Sequence, residues 1–121
     1  MLSVVLLCVG GACGAVARYQ LGILIYRHEK HTFPFGTFII NITGALLLGI
    51  FSGLNMSGNP YLLLGDGFCG AFTTFSTFAV ESVQLIRHQA VKKSIVFVLL
   101  SVSIGLICFF VGFEAGNFFT R

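Results

Sequence analysis

The sequence predicts an all-α membrane protein of four transmembrane helices, the third broken near its middle. Three observations predict it. First, 56% of the 121 residues are hydrophobic and only 9% are charged, against about 25% charged in a soluble domain. The chain cannot coat itself with a water-facing surface, and its mean hydropathy is +0.97. Second, the apolar residues form four continuous runs, at about 2–25, 35–54, 61–86 and 94–113. Each is long enough to cross a bilayer, which takes about 20 residues as a helix, whereas a β-barrel would alternate. Third, the third run holds too many glycines and hydroxyls for an unbroken helix. The whole chain, 1–121, reads as one transmembrane domain. This composition excludes an ordinary cytosolic enzyme, a nucleic-acid module and a disordered linker.

Span one, Leu2 to Ile25, lacks the basic start of a signal peptide and exceeds its apolar core in length. Gly10, Gly14, Arg18 and Gly22 are four apart and share a helix face. The glycines permit close backbone approach. Arg18, near the end of that face, either snorkels to the interface or faces an aqueous vestibule. A polar loop, Arg27 to His31, closes at Pro34. Span two, about Phe35 to Leu54, carries a stripe of Thr37, Asn41, Ala45, Gly49 and Gly53. The Asn41 amide is expensive in lipid unless paired or wetted, and its two N–H donors suit either an anion or a neighbouring helix. Asn55 to Pro60 is a turn cluster.

Span three, Tyr61 to Ile86, contains Gly65-Asp66-Gly67-Phe68-Cys69-Gly70-Ala71-Phe72-Thr73-Thr74-Phe75-Ser76-Thr77-Phe78, then Glu81. A break is expected within Gly70 to Thr74. Non-helical backbone at membrane depth survives only inside protein or beside a water-filled cavity, and such breaks commonly mark ion sites. Freed carbonyls there suit a hard cation. Phe75 and Phe78 share a face, and phenyl edges carry the positive part of the ring quadrupole, so paired edges can hold an anion loosely. Thr74, Ser76 and Thr77 flank them. The loop Arg87 to Lys93 leads to span four, Ser94 to Phe113, with Ser101, Ser103 and Gly105, and a short tail to Arg121. A serine in a helix readily bonds back to its own turn, so each hydroxyl alone is uninformative.

Ionisable groups inside a membrane are functional candidates by default. Here they are Arg18, Asp66, Glu81 and Glu114, the last at a helix end. Cys8, Cys13, Cys69 and Cys108 all lie in apolar runs with no CxxC pair and no ligand cluster, so they read as membrane-buried thiols. His28, His31 and His88 read as solvated loop residues. The first and third loops hold Arg27, Lys30, Arg87, Lys92 and Lys93, against Arg121 on the other side. Five against one places those loops in the cytoplasm of a multi-pass plasma-membrane protein with both termini outside. The net charge of +3 sits in these loops and does not indicate nucleic-acid binding.

The motifs Gly-Gly-x-x-Gly-Ala-x-x-Arg-Tyr at 10–19, Pro-Phe-Gly-Thr…Asn-x-x-Gly at 34–44 and Gly-Phe-Cys-Gly-Ala-Phe-Thr-Thr-Phe-Ser-Thr-Phe at 67–78 resemble those of the Fluc (CrcB) fluoride channels. The resemblance covers the whole chain in order, and the 67–78 motif is the specific part. It implies passive export of fluoride by an antiparallel, dual-topology-type dimer with two pores. It implies a fluoride path past Phe75, Phe78 and Asn41, with Ser76, Thr77 and Ser101 contributing hydroxyls. It implies that Arg18, Thr37 and Glu81 lie at the pore mouths or pore-lining face. It also implies a structural Na+ at the dimer centre, held by backbone carbonyls of Gly70 and Thr73. Phe97 and Gly105 stand one turn either side of Ser101, where some members carry Tyr and Ser, so the polar track of span four is thin.

The resemblance fits fluoride's own chemistry. The ion is small and strongly hydrated, so a pore must replace its water with donors that still let it leave. A small drug–proton antiporter is similar in length and span number only. It needs a carboxylate in span one, where this chain has Arg18 and no acid, and it usually uses Trp, which is absent. A non-transporting assembly subunit would leave the 70–74 break without a purpose. No nucleophile–base pair points to an enzyme. The charge bias makes a fixed orientation the expectation, with the dimer partner either this chain itself or a related chain of opposite bias. Four helices are too few to enclose a wet path comfortably, which also points to half of a dimer.

Overall fold

The computed structural model describes residues 1–27 and 33–121. The expectations for His28, Lys30 and His31 fall outside the described residues. Among the described residues all regular structure is helical. Helix α1 is Leu2–Tyr26 and α2 is Phe35–Gly53. Three contiguous pieces, Asn59–Tyr61, the π-helical Leu62–Cys69 and Gly70–Phe72, form α3 (residues 59–72). Helix α4 is Phe75–Arg87 and α5 is Val91–Thr120.

Three of these, α1, α2 and α5, are long and apolar enough to cross a membrane on their own. The third apolar run is divided between α3 and α4. The chain leaves the helix at Thr73 (φ −77°, ψ 159°) and Thr74 (φ −142°, ψ 117°). Gly70 remains helical at φ −60° and ψ −38°, so the interruption lies at the C-terminal edge of the expected 70–74 window. Thr74 makes the restart possible. Its hydroxyl accepts from the Thr77 amide at 3.3 Å, which satisfies one orphan donor of the new helix.

The last helix differs from its expected bounds at both ends. It starts at Val91, so Lys92 and Lys93 sit in its first turn. It runs on to Thr120 through the segment expected to be a tail. The extension has a packing reason, because Gly116 seats its backbone against α2, where a Cβ would overlap the Ile50 carbonyl.

Two glycine seams organise the bundle. Added Cβ atoms at Gly49 and Gly53 of α2 would overlap the carbonyls of Phe109 and Phe113 on α5. At Gly112 a Cβ would overlap the carbonyl of Leu46. Two GxxxG faces thus meet, and the paired residue numbers rise together, so the helices run parallel. The same logic seats α1 on α3, where Gly10 and Gly14 lie against the carbonyls of Leu63 and Phe68. Close backbone approach of this kind lets helices associate in lipid, where apolar side chains gain nothing by leaving it. Helix α4 is tied to α5 by the Ser94 hydroxyl, which donates to the Ser82 carbonyl at 2.8 Å. Most of α1 and α5 is left uncovered.

Candidate functional site around the Thr73–Thr74 break

The break leaves backbone groups without helical partners, and two side chains from other helices meet them. Asn41 of α2 accepts from the Thr74 amide at 2.8 Å and donates from Nδ2 to the Thr74 carbonyl at 3.0 Å. The side-chain amide therefore mimics a second strand, and one of its two N–H groups stays uncommitted in this pair. Arg18 of α1 donates from Nη1 to the Thr73 carbonyl at 3.3 Å. In an unbroken helix the Thr74 amide would bond the Gly70 carbonyl. Its diversion to Asn41 releases that carbonyl.

Three hollows surround the break. The first, about 310 Å³, is lined by Asn41, Thr73, Thr74, Phe75, Phe78, Ser101 and Val102, and none of these is charged. The Phe75 ring is 81% exposed and lies 6.1 Å from that of Phe78 at 41°. Phe78 leans on Phe97 at 5.1 Å and 45°, and Phe97 is 0% exposed. The buried Ser101 hydroxyl has no hydrogen-bond partner among the described residues.

The second hollow, about 280 Å³, holds Arg18, Tyr26, Thr37, Thr74 and Thr77 on the α1 side. Thr37 is 2% exposed, and the Thr77 hydroxyl accepts from that of Thr74 at 3.0 Å. Tyr26 donates to Glu81 at 3.1 Å. The third hollow, about 420 Å³, is bordered by Asn41, Tyr61, Asp66, Cys69, Gly70 and Thr73 among others.

The structure thus brings Asn41, Phe75, Phe78 and Ser101 together. It puts Thr77 on the other side of the break with Arg18 and Thr37, and it puts Glu81 one step away through Tyr26. Ser76 is exposed, lines none of the three hollows and reaches the Thr74 hydroxyl at 3.5 Å. Two roles were missed by sequence reasoning. Phe97 braces the Phe78 ring, and Thr74 is the point that Asn41 grips. The four-residue spacing of Phe97 and Ser101 was the available signal for the first, since it puts them on one helix face.

The family description "CrcB-like protein, Camphor Resistance (CrcB)" matches residues 5–113. The chain belongs to the CrcB family. Its relatives agree over nearly full length. A Clostridium acetobutylicum protein named fluoride-specific ion channel FluC 2 is 45% identical over 104 residues, 86% of this chain and 89% of its own length. A Rhodococcus jostii protein of the same name is 46% identical over 113 residues, 93% and 97% of the two chains. A Bacillus cereus protein, also named FluC 2, is 40% identical over 117 residues, 97% and 99%. The CrcB match takes in every residue that lines the three hollows. This CrcB chain is a multi-pass membrane protein.

Proposed function

We propose that this CrcB-family chain is a subunit of a fluoride-selective channel that lets fluoride leave the cell passively across the plasma membrane. The observation that carries the reading is the uncharged groove at the break. It offers an asparagine amide, a buried Ser101 hydroxyl with no partner among the described residues and two phenylalanine rings. Fluoride gives up its water only to other donors, and it passes quickly only if each hold is weak. Amide and hydroxyl donors with positive ring edges meet both demands, and a lining arginine or lysine would bind the anion too firmly. Relatives at 40–46% identity carry the name fluoride-specific channel, which supports the same choice of ion. In this reading Arg18, Thr37, Thr77 and Glu81 belong to the vestibule side, and Ser76 contributes at the exposed rim.

The groove is half a pore. Phe75 is open on one side, and much of α1 and α5 is uncovered. A second chain, this one or a relative, inserted antiparallel would close two such grooves. Helices α3 and α4 together make the third of four crossings. The loop charge favours both termini outside.

The residues present fit a structural Na+. Gly70 has open space where a Cβ would stand, the redirected Thr74 amide frees its carbonyl, and Thr73 borders the same hollow. Each carbonyl oxygen has two lone pairs, so the Arg18 bond to Thr73 leaves one free. Two chains would supply four hard oxygen ligands of the kind such a cation takes, and the ion would supply positive charge that ties the two chains together. The test is growth in fluoride. Cells stripped of their own fluoride exporter should recover when they express this chain with its natural partner. Unchanged sensitivity, with the protein in the membrane, would contradict the reading.

A further inference from the structure

Asp66 borders the same hollow as Gly70 and Thr73. The three residues line that hollow together, Asp66 and Gly70 from α3 and Thr73 from the break that follows it. Asp66 belongs to the π-helical piece Leu62–Cys69, and such local π turns re-aim side chains, frequently at functional sites. Its side chain is exposed, and among the described residues the carboxylate has no ion-pair or hydrogen-bond partner. An unpaired carboxylate within a membrane-spanning run is costly unless it faces water or a counter-charge. Among the described residues no lysine, arginine or histidine lines this hollow; Arg18 lines the hollow on the α1 side and reaches this one only through its bond to the Thr73 carbonyl at 3.3 Å. The available neighbours are neutral oxygens, chiefly the carbonyls at the break.

We infer that Asp66 is the cation-attracting residue of this chain: its carboxylate draws Na+ to the Gly70 and Thr73 carbonyls and strengthens its hold there. The inference rests on the cation site proposed above. In an antiparallel pair the two-fold axis would set one Asp66 on each side of the shared ion, so each approach to the site carries one negative charge. A unit charge about 10 Å from a cation, at an effective dielectric near 20, changes affinity roughly tenfold.

The test is the thermal unfolding midpoint of the purified assembly in detergent, followed as Na+ replaces N-methylglucamine at constant ionic strength. The wild type should be stabilised by Na+ with a half-effect concentration that rises about tenfold for each Asp66 replaced by Asn or Ser, and so about a hundredfold in a pair of identical chains. Asp66→Glu should stay close to wild type. Equal half-effect concentrations in the wild type and both neutral variants would overturn the inference and leave the carbonyl site standing. A loss of stability that is the same at every Na+ concentration, the sign of a broken ion pair with a partner side chain, would also overturn it. No Na+ response in the wild type would sink the cation site itself, and the role of Asp66 with it.

Discussion

Asn41 spends its amide on the backbone of Thr74, and that pair holds the break open. Interhelical polar contacts in membranes average about 0.6 kcal/mol each, so Asn41→Ala should cost about 1–2 kcal/mol of stability, read as a lowered thermal unfolding midpoint. Asn41→Asp should do worse than the loss of one bond. It keeps an acceptor for the Thr74 amide but turns a carboxylate oxygen toward the Thr74 carbonyl. The rings of the groove affect transport more than stability. Phe78→Ile and Phe75→Ile remove positive ring edges and should slow fluoride flux at least several-fold while the assembly elutes unchanged on size exclusion. Phe97→Leu withdraws the brace behind Phe78 and should slow flux by a smaller factor. The sequence places Phe75 and Phe78 on one face, and it marks Asn41 as a polar group that lipid would not tolerate. It does not reveal the Asn41–Thr74 pair, because a contact 33 residues apart depends on how α2 crosses the break.

At the scale of the elements, the glycine spacing carries the packing. Gly49 and Gly53 belong to the stripe that starts at Thr37, so a close-packed helix face was legible before any partner was known. Which helix it meets was not. The partner face, Gly112 and Gly116, lies partly in a segment that composition marks as a tail, and in the structure the helix continues through it seated on α2. A paired substitution measures the seam. Gly49→Ala drives a methyl group into the Phe109 backbone and should lower the unfolding midpoint and the yield of assembled protein. Gly105→Ala meets nothing within 4 Å and gains helix propensity of up to about 1 kcal/mol, so its midpoint should hold or rise. The break follows the same division. Glycines and hydroxyls at 65–77 announce an interrupted helix. Its position at Thr73–Thr74 is fixed by Asn41 and Arg18, which reach it from two other helices.

At the scale of the whole molecule, one chain of the proposed channel supplies an incomplete enclosure. The groove at the break is open at Phe75, and the apolar faces of α1 and α5 need lipid or another chain to cover them. Arg27, Arg87, Lys92 and Lys93 lie at or near the turns on one side of the bundle, with Arg121 on the other. This bias should fix the orientation. Single cysteines introduced near Arg121 in a chain cleared of its native thiols should react with an impermeant reagent from outside only, and equal labelling from both sides would show that the chain inserts both ways. The most direct measurement is ion release from liposomes that hold the assembly purified from cells, with a fluoride electrode and a chloride electrode on matched samples. Rapid fluoride release with chloride held back is the predicted result, and equal release of both ions, or release of neither, would contradict it.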